Sequence, residues 1–222
     1  MKNKHMDIDT RIIIQTSLEQ RLSFKGISQK TRKDPTTISK EIRNHLKKER
    51  IGSVLLTVHF REIGLQLAFL RKANDSQSVI DVFERLYLEL RPDVFMRLFP
   101  LLPCDNGSEF SNPRALEYDM QGNRRTTVYY CDPSAPYQKG SCENNHELIR
   151  RIIPKGTDIG KYTQEDIDLM MSHINSYSRS KHGDKSPYEL FAFFYGEELL
   201  HQFRLRKIPY DKIILSPKLL NK

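Results

Sequence analysis

Two acidic residues have the type and placement that metal-ion chemistry requires. Asp105 follows the apolar run 98–104 and opens the sequence Asp-Asn-Gly-Ser-Glu-Phe, so we expect it at the end of a strand. Glu143 opens a segment with helical spacing. An acid at a strand end and an acid on a later helix can together hold a hard divalent cation. This pair is the skeleton of a metal-dependent polynucleotidyl transferase, which also needs a third acid on an earlier strand.

The angular spacing of the segment after Glu143 indicates which side chains share its face. At about 100° per residue, the polar side chains within about 60° of Glu143 are His146, Glu147 and Arg150. The apolar side chains on the opposite side are Leu148, Ile149 and Ile152. We therefore predict that the polar face points into a cleft shared with Asp105, although a face that is only solvated has the same pattern.

Length and composition predict a globular protein with room for a small domain and an ordinary one. The chain has 222 residues, of which 38% are hydrophobic and 29% charged. No apolar run is long enough to cross a bilayer, and the first residues do not form a secretory signal. Cys104, Cys131 and Cys142 form no CxxC pattern, which predicts reduced thiols in a cytoplasmic protein. Cys142 and His146 alone are too few ligands for zinc.

Positive charge is concentrated in the first fifty residues. Residues 1–50 carry a net charge of +7 and the whole chain +8, so residues 51–222 are close to neutral. A basic small module joined to a near-neutral larger one is typical of a nucleic-acid-binding protein. A group of merely soluble basic helices would have the same charge, so the helix pattern has to decide.

Residues 1–50 have the pattern of three short helices. The first spans about residues 7–21, the second follows the N-cap Ser23 and ends near Thr31, and the third begins at Asp34-Pro35. The third helix has a buried stripe spaced by four residues: Ile38, Ile42 and Leu46. Three helices with a tight turn before the last make a helix-turn-helix.

The outer face of the third predicted helix is polar and cationic. Its candidates for base or phosphate contacts in the major groove are Thr37, Lys40, Arg43 and Asn44. The alternative is a three-helix bundle whose exposed face is only solvated. The cationic outer face favours DNA binding.

Residues 51–200 predict a mixed α/β domain, followed by a basic C-terminal tail over residues 201–222. A four-residue link between two β-rich runs, Val54–Phe60 and residues 65–71, predicts an antiparallel hairpin. The remaining predicted elements are a helix capped by Asp75 or Ser76, strands from Leu98 to Cys104 and from Thr126 to Cys131, and helices after Thr163 and Ser186.

Six segments resemble the DDE transposases of bacterial insertion sequences, specifically the IS-thirty family. In the family's order, they are residues 38–43, 54–60, 105–110, 131–140, 143–145 and 154–157. Each is weak alone, but together they are specific and span almost the whole chain. The resemblance implies a ribonuclease-H-like core behind a helix-turn-helix.

The resemblance also implies a metal site and a partner. Two divalent ions, normally Mg²⁺, would be held by three carboxylates, with Asp105 as the second acid and Glu143 as the third. Lys139 and Arg150 flank Glu143 where basic residues of related transposases contact DNA. The implied partner is double-stranded DNA, as transposon terminal repeats and target, with a homo-oligomer as a further expectation and no membrane.

The first acid of this family pattern is missing. The family carries it on a strand just before the segment Val54–Phe60, but here the third helix leads almost directly into that segment. The chain resembles a family member with an internal deletion. We therefore expect an incomplete ribonuclease-H-like mixed sheet that lacks its first strand, and impaired catalysis. One alternative is an active enzyme completed by Glu49 or Glu109. The other is a DNA-binding regulator that competes with the full-length transposase.

Overall fold

The computed structural model describes residues 10, 13–14, 16–17, 20, 22–40, 53–105, 107–131 and 140–220, with the backbone alone for residues 140–144. The chain divides into two compact units, Met1–Arg50 and Ile51–Lys222. In its described residues the smaller unit is helical, whereas the larger one combines helices with two small sheets.

A tight turn joins two helices in the smaller unit. Helix α1 spans Phe24–Thr31 and is capped by the hydroxyl of Ser23. The helix ends at Arg32, whose left-handed φ of 54° turns the chain. Residues 35–40 are helical again, directly after Asp34. The predicted start at Ser23 and the restart at Asp34-Pro35 are both confirmed.

Three isoleucines form a buried cluster among the described residues of the smaller unit. Ile14, Ile27 and Ile38 are almost fully buried, and Leu22 packs against them. The helical spacing of the first predicted helix puts Ile8, Ile12, Leu18 and Leu22 near one face and Ile14 at its edge. The other residues predicted for that face, Ile8, Ile12 and Leu18, lie outside the described residues.

An antiparallel hairpin begins the larger unit, as predicted. Strand β1 spans Val54–Phe60 and strand β2 spans Leu65–Arg71, and Val54 pairs with Arg71 at the open end. Gly64 closes the turn with a φ of 77°, which favours glycine. Strand β2 is buried along nearly its whole length, whereas β1 is mostly half-buried.

Helices surround the hairpin and a second pair of strands. Their bounds are Ser76–Leu90 (α2), Pro92–Leu98 (α3), Pro113–Glu117 (α4), Gly140–Ile152 (α5), Gln164–Ser176 (α6), Pro187–Tyr195 (α7) and Glu197–Gln202 (α8). Short 3₁₀ turns occupy Ser108–Phe110, Ile159–Lys161, Ser180–His182, Tyr210–Lys212 and Pro217–Leu220. Of the two predicted caps of α2, the structure has Asp75, and Thr163 caps α6 as predicted. Helix α7 follows Ser186, as predicted, and Ser186 caps it.

Two side-chain amides of α6 close the outer edge of β2. The Asn175 side chain accepts a hydrogen bond from the Gln66 amide at 3.0 Å and donates one to the Gln66 carbonyl at 2.8 Å. Gln164 bonds in the same way to the Leu70 amide (2.8 Å) and the Ala68 carbonyl (3.0 Å). These bonds satisfy backbone groups that would otherwise be unpaired in the interior. Strand β2 is therefore bounded by β1 on one side and by α6 on the other.

The second sheet is a parallel pair. Strand β3 spans Leu101–Cys104 and strand β4 spans Thr127–Tyr130. The strand predicted to start at Leu98 starts at Leu101 instead, because α3 begins with Pro92 in its first turn and continues through Leu98. Within the described residues no strand joins this sheet to the hairpin. The predicted mixed α/β class is confirmed, as two separate strand pairs packed among helices.

One hydrophobic core holds the larger unit together. It includes both sheets, α2, α3, α6 and α7, and it extends to the C-terminal segment. Leu205 and Leu220 are buried in this core, and the Ile208 amide donates a hydrogen bond to the Ser176 hydroxyl at 2.9 Å. The segment predicted as a basic tail therefore packs along α6 in its described part.

Candidate functional site

Two carboxylates converge at the end of β3. Asp105 follows this strand directly, and its Oδ1 accepts a hydrogen bond from the Gly107 amide at 3.1 Å. Glu109 lies in the next 3₁₀ turn and folds back over the same glycine. A Cβ atom on Gly107 would lie 2.9 Å from Asp105 Oδ1 and 2.7 Å from Glu109 Cδ. A side chain at this position would displace the Glu109 carboxylate, which is the end of a flexible side chain, from the turn.

Asp105 and Glu109 line a cleft between the two sheets. The cleft has a volume of about 340 Å³ and is bounded by β1 on one side and β3 on the other. Arg61, at the end of β1, and His146, from α5, also line it. The cleft thus holds acidic groups from one sheet and basic groups from the hairpin and α5.

Helix α5 places Glu143 in its first turn, although the Glu143 side chain lies outside the described residues. The predicted apolar face is confirmed, since Leu148 and Ile152 are buried. Glu147 and Arg150 are exposed and do not line the cleft. The prediction that these two side chains point into a cleft shared with Asp105 was therefore wrong. Glu147 instead forms an exposed ion pair within its own helix.

Asn145 fixes the first turns of α5 to the hairpin. Its side chain is buried, and Nδ2 donates a hydrogen bond to the Gly64 carbonyl at 3.0 Å. The same nitrogen lies 3.3 Å from Nδ1 of His59, and Oδ1 accepts from Arg179 Nη2 at 3.1 Å. One residue further along, His146 Nε2 lies 3.0 Å from the Thr57 hydroxyl. The backbone two residues after Glu143 is therefore held by a buried polar network.

The environment of His59 disfavours the protonated imidazole. Burial, with help from nearby cations, lowers the pKa of His59 from its ordinary value of 6.5 to about 4. The neighbouring basic groups, in order of their effect, are Lys181, His146, Arg179 and Arg61. His59 is therefore neutral at physiological pH, where its ring can share a hydrogen bond with Asn145.

This pKa predicts how stability depends on pH. The unfolded chain protonates His59 near pH 6.5, whereas the folded chain does so only near pH 4. Stability from this group is therefore constant above pH 6.5, falls between pH 6.5 and 4, and is level below pH 4. Allowing for solvent screening, we expect a loss of about 2 kcal/mol. In urea denaturation at pH 7 and pH 4.5, His59→Gln should remove this part of the loss. The exposed control His201→Gln should retain it, and equal losses in both variants would contradict the prediction.

The described residues provide some, but not all, of the ligands that a hard divalent cation needs. Carboxylate oxygens are the ligands that Mg²⁺ prefers, and it commonly takes one or two of them with water completing its shell. Asp105 and Glu109 supply two carboxylates around Gly107. The described ranges contain no group of three or more His, Cys, Asp or Glu side chains placed to hold a metal.

The predicted DNA-contacting residues are divided between described and undescribed parts of the chain. Thr37 and Lys40 are exposed in the helical residues 35–40, while Ile38 between them is fully buried. Arg150 is exposed on α5. The remaining predicted residues lie outside the described ones: Arg43, Asn44 and Lys139, together with the substitute acid Glu49.

Sequence reasoning missed the polar network around Asn145. His59 lies in a strand and Arg179 follows α6, so no local spacing links either residue to the polar run that contains Asn145. Glu109 was named only as a substitute acid, although the glycine two residues before it is a visible signal of a tight turn. No described helix is both long and apolar enough to cross a membrane.

Parts of the chain are similar to known proteins. Residues 2–45 match the family model of a helix-turn-helix domain. The transposase for insertion sequence element IS1086 of Cupriavidus metallidurans is 42% identical over 91 residues, which are 41% of this chain and 26% of that protein. Transposase InsI for insertion sequence element IS30A of Escherichia coli is 35% identical over 115 residues, 52% of this chain and 27% of that protein.

A third relative agrees with these two. The transposase for insertion sequence element IS4351 of Bacteroides fragilis is 30% identical over 94 residues, 42% of this chain and 28% of that protein. The matched stretches thus span about a quarter of the length of each of these relatives. By sequence, the matched parts of the chain are similar to transposases of insertion sequences, including one of the element IS30A.

Proposed function

We propose that this chain is a DNA-binding protein of the transposition machinery that recognises transposon ends through its N-terminal unit. The observation that carries the proposal is the division of residues 35–40 into a buried Ile38 and exposed Thr37 and Lys40. A helix with this division can pack on α1 and enter the major groove with its polar face. Arg43 and Asn44 extend the same face in sequence, and the net charge of +7 over residues 1–50 supports phosphate contact.

The larger unit is proposed to descend from a ribonuclease-H-like catalytic core. Asp105 and Glu143 would hold Mg²⁺, and Lys139 and Arg150 would contact the DNA. The bound metal would activate water or a 3′-hydroxyl for in-line displacement at phosphorus. The Gly107 amide donates a hydrogen bond to Asp105 Oδ1 and would hold this carboxylate in position to bind the metal. Two assigned acids are too few to hold the two ions of a full site, so we expect strand transfer to be impaired.

Two other functions remain as alternatives. An active enzyme would need a third carboxylate, and the convergence of Glu109 with Asp105 at Gly107 supports Glu109 in that role. A DNA-binding regulator would need only the N-terminal unit, and would compete with a full-length transposase for transposon ends. The incomplete acid set favours the regulator over the active enzyme.

The DNA-binding proposal is tested by gel shift with the full chain and a terminal-repeat duplex. Lys40→Ala should weaken binding roughly five- to tenfold, because it removes one exposed cation from the groove-facing side. Lys212→Ala, an exposed lysine of the larger unit, is the matched control and should leave the affinity unchanged. Absence of binding by the unaltered chain at low salt would overturn the proposal.

Catalysis is tested separately in a Mg²⁺-dependent strand-transfer assay with the same duplex. We expect no product above background from the unaltered chain. Turnover that disappears in Asp105→Asn would overturn the impaired core and establish an active enzyme. In that case, loss of turnover in Glu109→Gln as well would support Glu109 as the third acid.

A further inference from the structure

A group of basic side chains gathers where the hairpin turn meets the 3₁₀ turn Ser180–His182. We call Arg61, Arg179, Lys181 and His182 the basic cluster. His182 Nε2 lies 3.1 Å from the position that a Cβ on Gly64 would take. Arg179 reaches the same turn through Asn145, which bonds to the Gly64 carbonyl. The hairpin turn and the 3₁₀ turn are therefore packed together, which fixes the positions of the backbone segments that carry the basic cluster.

Among the described residues, the cations of the basic cluster form no ion pair, although the exposed acids Glu62 and Asp184 lie close to them in sequence. Arg61 and Lys181 are exposed, and the ion pairs of the described residues include neither of them nor Arg179. Burial, followed by Lys181 and Arg179, lowers the pKa of His182. The local potential is therefore positive, which favours an anion.

Two buried nitrogens of the basic cluster have no hydrogen-bond partner among the described residues. They are Arg179 Nη1 and His182 Nε2. Buried polar atoms are normally paired, so such an atom calls for a ligand, a water or an ion. Arg179 is held rigidly by its bonds to Asn145 and to the Ile174 carbonyl at 3.3 Å. Its unpaired nitrogen is thus fixed in place.

The basic cluster adjoins the cleft that Asp105 and Glu109 line. Arg61 lines the same cleft as Asp105, at the end of β1. We propose that the basic cluster binds a backbone phosphate of a DNA strand that lies along this cleft. The Arg61 guanidinium and the Lys181 ammonium contact the phosphate oxygens, and the Arg179 guanidinium adds positive charge beneath them. This inference rests on the proposed function, since it takes DNA as the partner, and its ligand is a phosphodiester.

The salt dependence of DNA binding by the full chain tests the proposal. The probe is a random-sequence duplex of about 30 base pairs, titrated between 50 and 200 mM salt. In the double variant Arg61→Ala/Lys181→Ala, the plot of log affinity against log salt should become less steep. The magnitude of its slope should fall by between about one and two, because each lost phosphate contact accounts for about one. The charge-matched control Arg97→Ala/Lys212→Ala removes two exposed cations elsewhere and should leave the slope unchanged.

A variant that removes a negative charge, and should therefore strengthen DNA binding, provides a second test. Glu62 is the acid beside Arg61 in the hairpin turn and is exposed, so Glu62→Gln should tighten binding two- to threefold. If Arg61→Ala/Lys181→Ala and the control have the same slope, the basic cluster is not a phosphate site. If the unaltered chain binds no DNA, the proposed function itself fails. The two failures are therefore distinguishable.

Discussion

Replacing Arg125 with methionine should lower the free energy of unfolding by about 3–5 kcal/mol, because it breaks a buried charged network. The Arg125 side chain is fully buried. Nε donates to the Leu116 carbonyl and Nη2 to the Ala115 carbonyl, each at 2.9 Å. Nη1 lies 3.0 Å from Glu84 Oε1, as an ion pair without hydrogen-bond alignment. Methionine fills a similar space but leaves both carbonyls and Glu84 without a partner.

Aromatic rings add to the cost of this substitution. The Arg125 guanidinium lies 5.2 Å from the ring centre of Tyr87 and 5.9 Å from that of Phe95. Such cation–π contacts contribute about 0.5–2 kcal/mol, more when they are desolvated. Arg125→Lys should recover only part of the loss, because an ammonium cannot reach both carbonyls at once.

The neighbouring arginine provides a control for Arg125. Arg124 has a half-exposed side chain and pairs with Glu117 at 3.3 Å. Arg124→Ala should cost no more than about 1 kcal/mol. Urea denaturation of both variants measures the difference. A loss below 1 kcal/mol for Arg125→Met would mean that the network contributes nothing beyond packing.

Replacing Asn145 with alanine should lower the free energy of unfolding by about 2–3 kcal/mol, because it leaves buried polar groups unpaired. The Gly64 carbonyl loses its donor and Arg179 Nη2 loses one of its two acceptors. The effect should be local to α5, the helix that carries Glu143. Its backbone amides should therefore exchange with solvent faster in Asn145→Ala, while those of α6 change less.

An exposed position on the same helix is the control for Asn145. Glu147 pairs with Arg151 at 3.1 Å on the helix surface, so Glu147→Ala should cost less than about 0.5 kcal/mol. Hydrogen exchange measured by mass spectrometry reports both variants. Equal exchange in α5 for the two variants would show that Asn145 does not fix this helix to the hairpin.

Local patterns in the sequence were sufficient for the hairpin and for most helix starts. The β-rich runs on either side of Arg61–Gly64 predicted both strands to the residue, and the caps Ser23, Asp75 and Thr163 each begin a helix. Side-chain spacing and capping are properties of neighbouring residues, so they can be read without the fold. Helix α3 was missed because it is short, and only its last residue, Leu98, was assigned, as the start of the predicted strand.

Long-range polar pairing was not predictable in the same way. Asn175 bonds to Gln66 across 109 positions, and Asn145 bonds to Gly64 across 81. The spacing of apolar residues identifies buried apolar side chains but not buried polar ones. The buried amides lie within polar stretches of sequence, which are indistinguishable from exposed surface. The acids at Gly107 were predicted singly, but their convergence depends on the backbone of the turn.

The cleft between the sheets also bears on which strand edge of the hairpin could pair with a strand of another copy of this chain. Uncovered strand edges pair with strands of other molecules, and such pairing can continue into ordered aggregates. The amides of Gln164 and Asn175 occupy the outer edge of β2 and so block growth there. Among the described strands of the hairpin, growth would therefore have to start from β1, on the side that faces the cleft.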